Sequence, residues 1–269
     1  MTFFILTIFV PALKSISSIE DFIRHGQQFF QPGLSIDNVI IGFHDNRLKV
    51  LLLKTKHSEK WVLPGGHILQ KEELEDAAKR ILNERTGLKE IFLQQFHVFG
   101  STARSKEKYL REAMHHMGFD VPDDSWLLQR FVTIGFYALV EFAKVNPKAD
   151  DFSETISWWD LEDLPALLFD HKEIIDTAIK DMRLKINHQP IGYNLLPREF
   201  TLKNLQSIYE AILDKKLDRA NFNRKILSYG ILDKKEKHYT GGAHKAPYLY
   251  SFNKKAYFQA LQHGLEKTF

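Results

Sequence analysis

The segment at residues 65–88 reads GGHILQKEELEDAAKRILNERTGL, and it decides the fold prediction for this chain of 269 residues. Its Gly pair follows the short apolar run WVLP at residues 61–64, which predicts a strand that ends at the two glycines. From Glu72 to about Glu84 apolar residues recur at intervals of three and four, which predicts a helix with one face in a core. Gly87 is suited to the C-cap of that helix. The apolar residues of the buried face are Leu74, Ala77, Ala78, Ile81 and Leu82.

The same segment resembles the Nudix box, which places a glycine, a glutamate and a carboxylate-rich helix at fixed offsets. Seven residues match the box in register: Gly66, Glu72, Arg80, Leu82, Glu84, Gly87 and Leu88. The resemblance implies an α/β fold in which a mixed sheet is sandwiched by helices. It also implies a ligand cleft beside the box. The residues that we expect to bind a ligand there are Trp61, Gly65, Gly66, Arg80 and Glu84.

Two residues depart from the box at the positions that hydrolysis needs. In Nudix hydrolases the helix presents three carboxylates at i, i+3 and i+4, which together hold magnesium or manganese ions. The corresponding residues here are Ile81, Glu84 and Arg85. Isoleucine supplies no ligand oxygen, and arginine places a fixed positive charge where a divalent cation would bind. We therefore expect no catalytic residues, no metal ligands and no cofactor in a degenerate box that keeps Gly66, Glu72, Arg80 and Glu84.

An active Nudix pyrophosphohydrolase that acts on a nucleoside diphosphate derivative is the alternative. It would need carboxylates from outside the three positions of the box. Glu72, Glu73 and Glu75 leave that possibility open beside Glu84. Mg²⁺ or Mn²⁺ would then be the cofactor, and Glu84 would be one of its ligands.

The composition divides the chain into two parts of opposite charge. Cysteine is absent, which excludes disulfides and thiolate metal sites. Residues 186–269 contain 14 Lys and Arg against 7 Asp and Glu, whereas residues 1–185 contain 23 against 27. A basic C-terminal third attached to a mildly acidic remainder predicts a polyanionic partner for that third alone.

The first residues, MTFFILTIFVPAL, form an apolar run that allows three interpretations. It could reflect a start codon placed too early, a segment that packs on the body or on a partner chain, or a membrane or export signal. The run is too short to span a bilayer, Pro11 interrupts it, and no basic region precedes it. We therefore expect a cytoplasmic protein that does not associate with membranes.

Four regions are predicted along the chain: an N-terminal segment at residues 1–30, a Nudix-like domain at 31–170, a linker helix at 171–190 and a winged-helix domain at 191–269. In the second region, β-rich runs at 34–42 and 47–54 flank the turn residues Asp45 and Asn46 and predict a hairpin. Further strands are predicted at 91–99, 131–142 and 156–160. The connection at 100–129 is too long for an ordinary loop. In the resembled family it overhangs the cleft, and a surface embellishment is the alternative.

The C-terminal third has the pattern of a winged helix-turn-helix. Thr201 is suited to cap a helix with one apolar stripe, and Asp218 is suited to cap a second helix that ends at Gly230. The segments 231–238 and 246–252 then predict a β-hairpin around the turn 239–242. We expect the second helix to bury Phe222, Ile226 and Leu227.

The second helix leaves arginine, lysine and asparagine side chains, which suit base edges and phosphates in a DNA major groove. Arg224 and Asn221 are the expected base readers, and lysines of the helix and hairpin are the expected phosphate contacts. A merely solvated helix face is the alternative. The full set of expected DNA-binding residues is Arg219, Asn221, Asn223, Arg224, Lys225, Lys234, Lys235 and Lys237.

The run at residues 195–232 is similar to the C-terminal domain of the Nudix-related transcriptional regulators, which include the NrtR repressors and the arabinose regulators. The resemblance covers residues 35–258 but fails at the first 20 residues and at the connection 100–129. It implies a ligand-responsive regulator of double-stranded DNA. We expect a homodimer whose degenerate Nudix sensor binds a sugar or a nucleotide sugar.

Overall fold

The computed structural model of the chain describes residues 19–55, 59–86, 91, 93–102, 104, 107–116, 118–145, 153–237 and 246–265. The predictions for residues 1–18, for Gly87 and Leu88, and for the turn 239–242 lie outside these ranges. The chain divides into two compact units, of which the first contains most residues up to 178. The second contains residues from 179 onward together with 42–49 and 139–142. No helix in the described ranges is long and apolar enough to cross a membrane.

The first unit is an α/β fold, and its elements follow the chain in the predicted order. Helix α1 precedes the hairpin of β1 and β2, whose turn residues Asp45 and Asn46 both have positive φ, as a two-residue hairpin turn requires. The elements are α1 (Ile19–His25), β1 (Phe30–His44), β2 (Arg47–Thr55), β3 (Trp61–Val62), β4 (Gly65–Leu69), α2 (Leu74–Thr86), β5 (Leu93–Phe99), α3 (Glu107–His116), β6 (Val132–Leu139), β7 (Ser153–Asp160) and α4 (His171–Lys185).

Strands β1 to β7 form one sheet, with β1 at its centre. The order is β3-β2-β1-β6-β5, while β4 also pairs with β1 and β7 with β2. All residues of β1 from 35 to 42 are buried. A strand that buries consecutive residues has cover on both of its faces, because successive side chains point to opposite sides. This agrees with the expected sheet between helices.

Helix α2 packs the predicted apolar face against the sheet. Ala77, Ala78, Ile81 and Leu82 are each at most 2% exposed. Three of them join a cluster with Ile36 of β1 and residues of β4 and β6. The predicted burial of this face is confirmed, and the box helix is thereby fixed on the sheet.

The connection at 100–129 belongs to the core and is not a surface embellishment. Its residues Met114, Val121, Trp126 and Leu127 are buried in a cluster with Phe22 of α1. The Trp126 indole nitrogen donates to the Phe22 carbonyl oxygen at 3.0 Å. The indole also lies so close to Gly26 that a Cβ there would be 2.6 Å from the ring. The connection therefore packs on α1 and on the turn that follows it.

The second unit has the helix, helix and hairpin order of a winged helix. Its elements are β8 (Phe200–Thr201), α5 (Leu202–Leu213), α6 (Arg219–Ser228), β9 (Leu232–Lys237), β10 (Tyr248–Phe252) and α7 (Lys254–His263). Strand β10 lies between β8 and β9 in a small antiparallel sheet. Helix α7 follows the hairpin and was not predicted.

Candidate functional site

The Gly pair of the box begins a strand, which corrects the prediction that a strand ends there. Strand β4 pairs antiparallel with β1, with Gly65 opposite Asp37 and Gly66 opposite Ile36. A Cβ at Gly65 would collide with the Asp37 carboxylate, and one at Gly66 would lie 2.9 Å from the Ile81 side chain. Both positions therefore require glycine because their neighbours approach the backbone so closely.

Arg80 holds the loop of the box in place. Its Nε and Nη2 atoms donate to the two carboxylate oxygens of Glu72, each at 2.8 Å, and Nη2 also donates to the His67 carbonyl oxygen at 2.8 Å. Glu72 accepts a further bond from the Leu69 amide at 3.1 Å. This fork joins the end of β4 to α2. Burial alone would lower the pKa of Arg80, but the Glu72 and Glu84 carboxylates raise it above its usual value.

The one remaining carboxylate of the three metal positions faces Arg80. The Arg80 Nη1 atom lies 3.2 and 3.3 Å from the two Glu84 oxygens. Burial raises the pKa of Glu84, and the Arg80 guanidinium opposes this shift. In this structure Glu84 therefore acts as an ion-pair partner of Arg80.

The other two metal positions do not offer ligands. Ile81 is 1% exposed and belongs to the core under the sheet. The Arg85 guanidinium donates to the Gly65 carbonyl oxygen, at 3.2 Å from Nη2 and 3.4 Å from Nε. Among the described residues, no group of three His, Cys, Asp or Glu side chains is arranged to hold a metal ion. The residues at these positions do not fit a divalent cation.

The predicted ligand-binding residues fall into two places. Gly65, Gly66, Arg80 and Glu84 are brought together at β4 and α2 by the contacts described above. Trp61 lies on β3 and is 9% exposed, and its ring packs edge-on against Trp159 with centroids 5.1 Å apart. Its backbone also pairs with the segment at 166–168. The ring of Trp61 thus forms part of the protein interior.

A buried charge cluster beside the box was missed by the sequence analysis. Arg104 has a side chain that is 1% exposed, and it donates to Asp37 at 3.0 Å, to Asp170 at 2.8 Å, and to the hydroxyl of Thr133. Asp37 is the residue whose carboxylate lies against Gly65. The partners are 67, 66 and 29 residues from Arg104. Local sequence patterns do not indicate contacts between residues so far apart in the chain. Nothing else in the sequence around Arg104, in the connection at 100–129, marks it as part of a cluster.

The turn between α5 and α6 is fixed by caps and by one carboxylate. Thr201 caps α5 in a reciprocal arrangement with Asn204, and Asp218 caps α6 by accepting from the Asn221 amide at 2.8 Å. Both predicted caps are confirmed. Glu210 accepts from the Leu217 amide, Lys216 and Gln206 at 2.9–3.0 Å, and these bonds lower the pKa of Glu210 to about 2.

Helix α6 buries Phe222 and Ile226, but the prediction that it also buries Leu227 is wrong. Leu227 is 43% exposed, whereas Ile226 is 2% exposed. At 100° per residue, Leu227 lies about 120° from the centre of the face formed by Phe222 and Ile226. The helix therefore presents one large apolar side chain among its exposed polar residues.

The expected DNA-binding residues of α6 are not equivalent in their surroundings. Arg219, Asn221, Arg224 and Lys225 are exposed, whereas Asn223 is half-buried. The Arg224 Nη2 atom donates to the Asn221 side-chain oxygen at 2.7 Å, so the two expected base readers form a pair. Asn221 and Lys225 also line a cavity of about 290 Å³, and Lys225 lies 3.5 Å from Asn187. Arg224 therefore belongs to the outward face and Lys225 to its flank.

A bulge in the hairpin determines which lysines share a face. Tyr248 lies opposite Lys237 and Tyr250 opposite Lys234, so three steps on β9 match two on β10. Lys234 and Lys237 therefore share the face of Tyr248. Their ammonium groups lie 3.6 and 5.3 Å from the centre of its ring. Lys235 is exposed.

A Nudix-like sheet that carries the box helix α2, followed in the same chain by a winged helix, is the architecture of a class of DNA-binding transcription regulators. Residues 34–181 match the family model of the NUDIX domain, and residues 192–252 match that of the NrtR DNA-binding winged helix domain. The chain belongs to the Nudix family, and its C-terminal domain is an NrtR-type winged helix. The expected fold and family are confirmed.

Both a transcriptional regulator and a hydrolase are similar to this chain in sequence. The chain is 27% identical over 247 residues to the ADPR responsive transcriptional repressor NtrR of Acinetobacter baylyi, which covers 88% of this chain and 90% of that protein. It is also 27% identical over 132 residues to the RNA pyrophosphohydrolase of Bartonella henselae, covering 44% and 67%. The fold is similar to that of Shewanella oneidensis NrtR in its complex with a 27mer DNA, with a TM-score of 0.67, 24% identity, and coverage of 88% and 99%.

Proposed function

We propose that this protein is a transcriptional regulator whose Nudix domain binds ADP-ribose or a related nucleotide sugar without hydrolysing it. Its winged helix binds double-stranded DNA, and the bound effector changes that affinity. The similar Acinetobacter baylyi repressor responds to ADPR according to its name. A homodimer is part of the proposal, because regulators of this geometry read two half-sites. A cytoplasmic location and the absence of a cofactor belong to the proposal as well.

The observation that carries the proposal is the state of the three metal positions on α2. One is a core isoleucine, one is an arginine, and the third is a glutamate held by Arg80. Metal-assisted hydrolysis of a diphosphate needs carboxylates at these places to hold the ions that polarise the bond. We infer that a Nudix domain without those ligands binds a nucleotide sugar and leaves it intact.

The effector acts by preferring one of two conformations. A ligand shifts an equilibrium only by the difference in its affinity for the two states. Helix α4 is a single helix whose residues up to Ala178 belong to the first compact unit and whose residues from Ile179 belong to the second. We assign the linker role to this part of the chain, between a sensor at residues 31–170 and a DNA-binding domain at 191–269.

DNA binding is assigned to the outward side of α6 and to the hairpin. Arg224 and Asn221 contact base edges in this proposal, whereas Lys225, Lys234, Lys235 and Lys237 contact phosphates. Arg219 and Asn223, which are four residues apart, lie on one side of the same helix. A double-stranded partner suits these residues because guanidinium and amide groups match base edges and ammonium groups match phosphates.

The test is fluorescence anisotropy with a duplex enriched from a randomised library by the full-length protein. ADP-ribose is expected to change the dissociation constant for DNA by roughly 5- to 150-fold, the usual range of coupling between two sites. Free ribose 5-phosphate and AMP serve as controls. Arg224→Ala should weaken binding, whereas Lys79→Ala, which removes an exposed charge from the first unit, should not. Failure to enrich any duplex would refute the DNA-binding role.

The pyrophosphohydrolase alternative rests on the hydrolase relatives of the first domain. It predicts turnover of a nucleoside diphosphate derivative with Mg²⁺ or Mn²⁺, and loss of that turnover when Glu84 is changed to Gln. Liquid chromatography of the nucleotide after incubation separates this alternative from the regulator proposal.

A further inference from the structure

We propose that Tyr248 positions two lysines of the hairpin, Lys234 and Lys237, so that both ammonium groups face the same short stretch of the DNA backbone. Tyr248 is then a positioning residue, because it acts on the phosphates through the lysines and not through a contact of its own. The inference rests on the proposed DNA binding by this domain. It adds a residue to the phosphate-binding surface of the hairpin.

The register of the hairpin brings the two lysines to one ring. Tyr248 of β10 is paired with Lys237 of β9, and Tyr250 is paired with Lys234. Two residues on β10 thus match three on β9, which is the count of a β-bulge. In a regular strand, residues three apart point to opposite faces. The bulge therefore turns both ammonium groups to the face of Tyr248.

The contacts of the ring show how each lysine is held. The Lys234 ammonium nitrogen lies 3.6 Å from the centre of the Tyr248 ring, and that of Lys237 lies 5.3 Å from it. Both distances are within the range of about 6 Å in which a cation is attracted to an aromatic face. Tyr248 is 39% exposed, whereas Tyr250 on the same strand is 9% exposed. The contact is therefore made at the surface, where DNA can reach it.

The charges of the two lysines favour an anion beside the ring. Two ammonium groups gathered at one ring repel each other, and the negative face of the ring offsets only part of that repulsion. Phosphate oxygens that accept hydrogen bonds from both ammonium groups offset more of it. Each DNA strand carries one phosphate charge about every 3.4 Å along the helix axis, so the two lysines face neighbouring phosphates.

The ring also reduces the entropy that binding costs. A lysine side chain loses rotamer freedom when its ammonium group is fixed on a phosphate. A ring that already confines both side chains removes part of this loss before DNA arrives. The contribution of Tyr248 is to affinity and not to sequence selectivity, because phosphates carry no base information. Lys235 follows Lys234 on β9 and points to the other side of the extended strand, so it is the matched control.

The first measurement is nuclear magnetic resonance of the full-length protein without DNA, labelled with ¹³C at lysine. Protons above an aromatic ring are shifted upfield, so the Hε protons of Lys234 should show the largest upfield shift, those of Lys237 a smaller one and those of Lys235 none. The shifts should persist in Tyr248→Phe, which keeps the ring. They should disappear in Tyr248→Ile, which keeps a strand-forming residue without a ring.

The second measurement is fluorescence anisotropy with the enriched duplex. Tyr248→Ile should weaken binding by about 3- to 10-fold for all duplexes alike and leave the salt dependence unchanged, because no charge is removed. Tyr248→Phe should bind within about two-fold of wild type. Tyr248→Ile combined with Lys234→Met should lose less than the product of the two single losses, because Tyr248 acts through that lysine. The same combination with Lys235→Met should lose the full product.

Three outcomes would overturn this inference alone. Absence of an upfield shift at Lys234 in the wild type means that the ring does not hold the lysine. An equal loss of DNA affinity in Tyr248→Phe and Tyr248→Ile means that the hydroxyl contacts DNA itself. Independent losses with Lys234→Met mean that the ring acts without the lysine. The first two outcomes can be read even if Tyr248→Ile has a lowered melting temperature, because the wild type and Tyr248→Phe supply them. Failure of the wild type to bind any duplex refutes the DNA-binding role and this inference with it.

Discussion

Replacement of Glu210 should loosen the turn that positions α6 for DNA. Its carboxylate accepts three hydrogen bonds, from Leu217, Lys216 and Gln206, and its side chain is 15% exposed. Each bond contributes about 0.5–1.5 kcal/mol, and the bond to Lys216, which is 94% exposed, contributes least. Glu210→Ala should therefore destabilise the domain by about 2 kcal/mol, and Glu210→Gln by about 1 kcal/mol.

The pH dependence of this effect has a definite sign. The Leu217 amide, followed by Lys216 and Gln206, lowers the pKa of Glu210 from 4.5 to about 2. A lowered folded-state pKa stabilises the fold above the unfolded-state value, and this contribution is lost as the pH falls from about 4.5 towards 2. The difference between wild type and Glu210→Gln should thus be complete at pH 7 and shrink below pH 4.5.

Hydrogen exchange is the suitable assay, because it is read for each segment. The four tryptophans are residues 61, 126, 158 and 159, so intrinsic Trp fluorescence would not report on this domain. Exchange of the Leu217 amide should accelerate in Glu210→Gln at pH 7, whereas Glu199→Gln, an exposed control in the same domain, should match wild type. Equal protection in both variants, or a difference that persists unchanged at pH 3, would refute this reasoning.

Three further predictions concern the other charged sites. Arg104→Met leaves the buried Asp37 and the partly buried Asp170 without their cation. Urea unfolding followed by Trp fluorescence should therefore show a loss of about 3–5 kcal/mol, whereas the exposed control Arg24→Met should lose little. A loss below about 1 kcal/mol would contradict the cluster's role. Lys235→Ala should weaken binding to all duplexes alike and reduce the slope of log affinity against log salt by about one unit. Arg224→Ala should instead cost about 1–3 kcal/mol of binding free energy and relax selectivity at one position. Unchanged slopes and affinities would mean that α6 and the hairpin are only a solvated face. The double variant Ile81→Glu, Arg85→Glu restores three carboxylates at i, i+3 and i+4. Its affinity for Mn²⁺, measured by calorimetry, should be higher than that of the wild type. Equal affinity would mean that the box has lost more than its metal ligands.

The sequence was sufficient to predict features set by local spacing. The stripe from Leu74 to Leu82 gave the buried face of α2, and Thr201 and Asp218 gave the starts of α5 and α6, because caps and helical periodicity are local. The turn at Asp45 and Asn46 was recognisable for the same reason. The identities of Ile81 and Arg85 likewise mark the altered box in the sequence itself.

Features made by distant residues could not be read in this way. The Arg104 cluster joins residues far apart in the chain, and Trp126 ties the connection at 100–129 to α1. The strand β4 was missed because two glycines usually interrupt strands, whereas here the Asp37 and Ile81 side chains fill the space that a Cβ would need. Burial of Leu227 was predicted because the residue is apolar. Its angular position on α6, away from Phe222 and Ile226, indicates the exposed side instead.

We propose that the Nudix domain of this chain binds its effector without hydrolysing it. The most direct measurement incubates the full-length protein with ADP-ribose and Mg²⁺ or Mn²⁺, and follows both the nucleotide by liquid chromatography and the affinity for the enriched duplex by anisotropy. We predict that ADP-ribose remains intact to the level of a buffer blank while the DNA affinity changes. Steady release of AMP that Glu84→Gln abolishes, with no effect of ADP-ribose on DNA binding, would contradict the account.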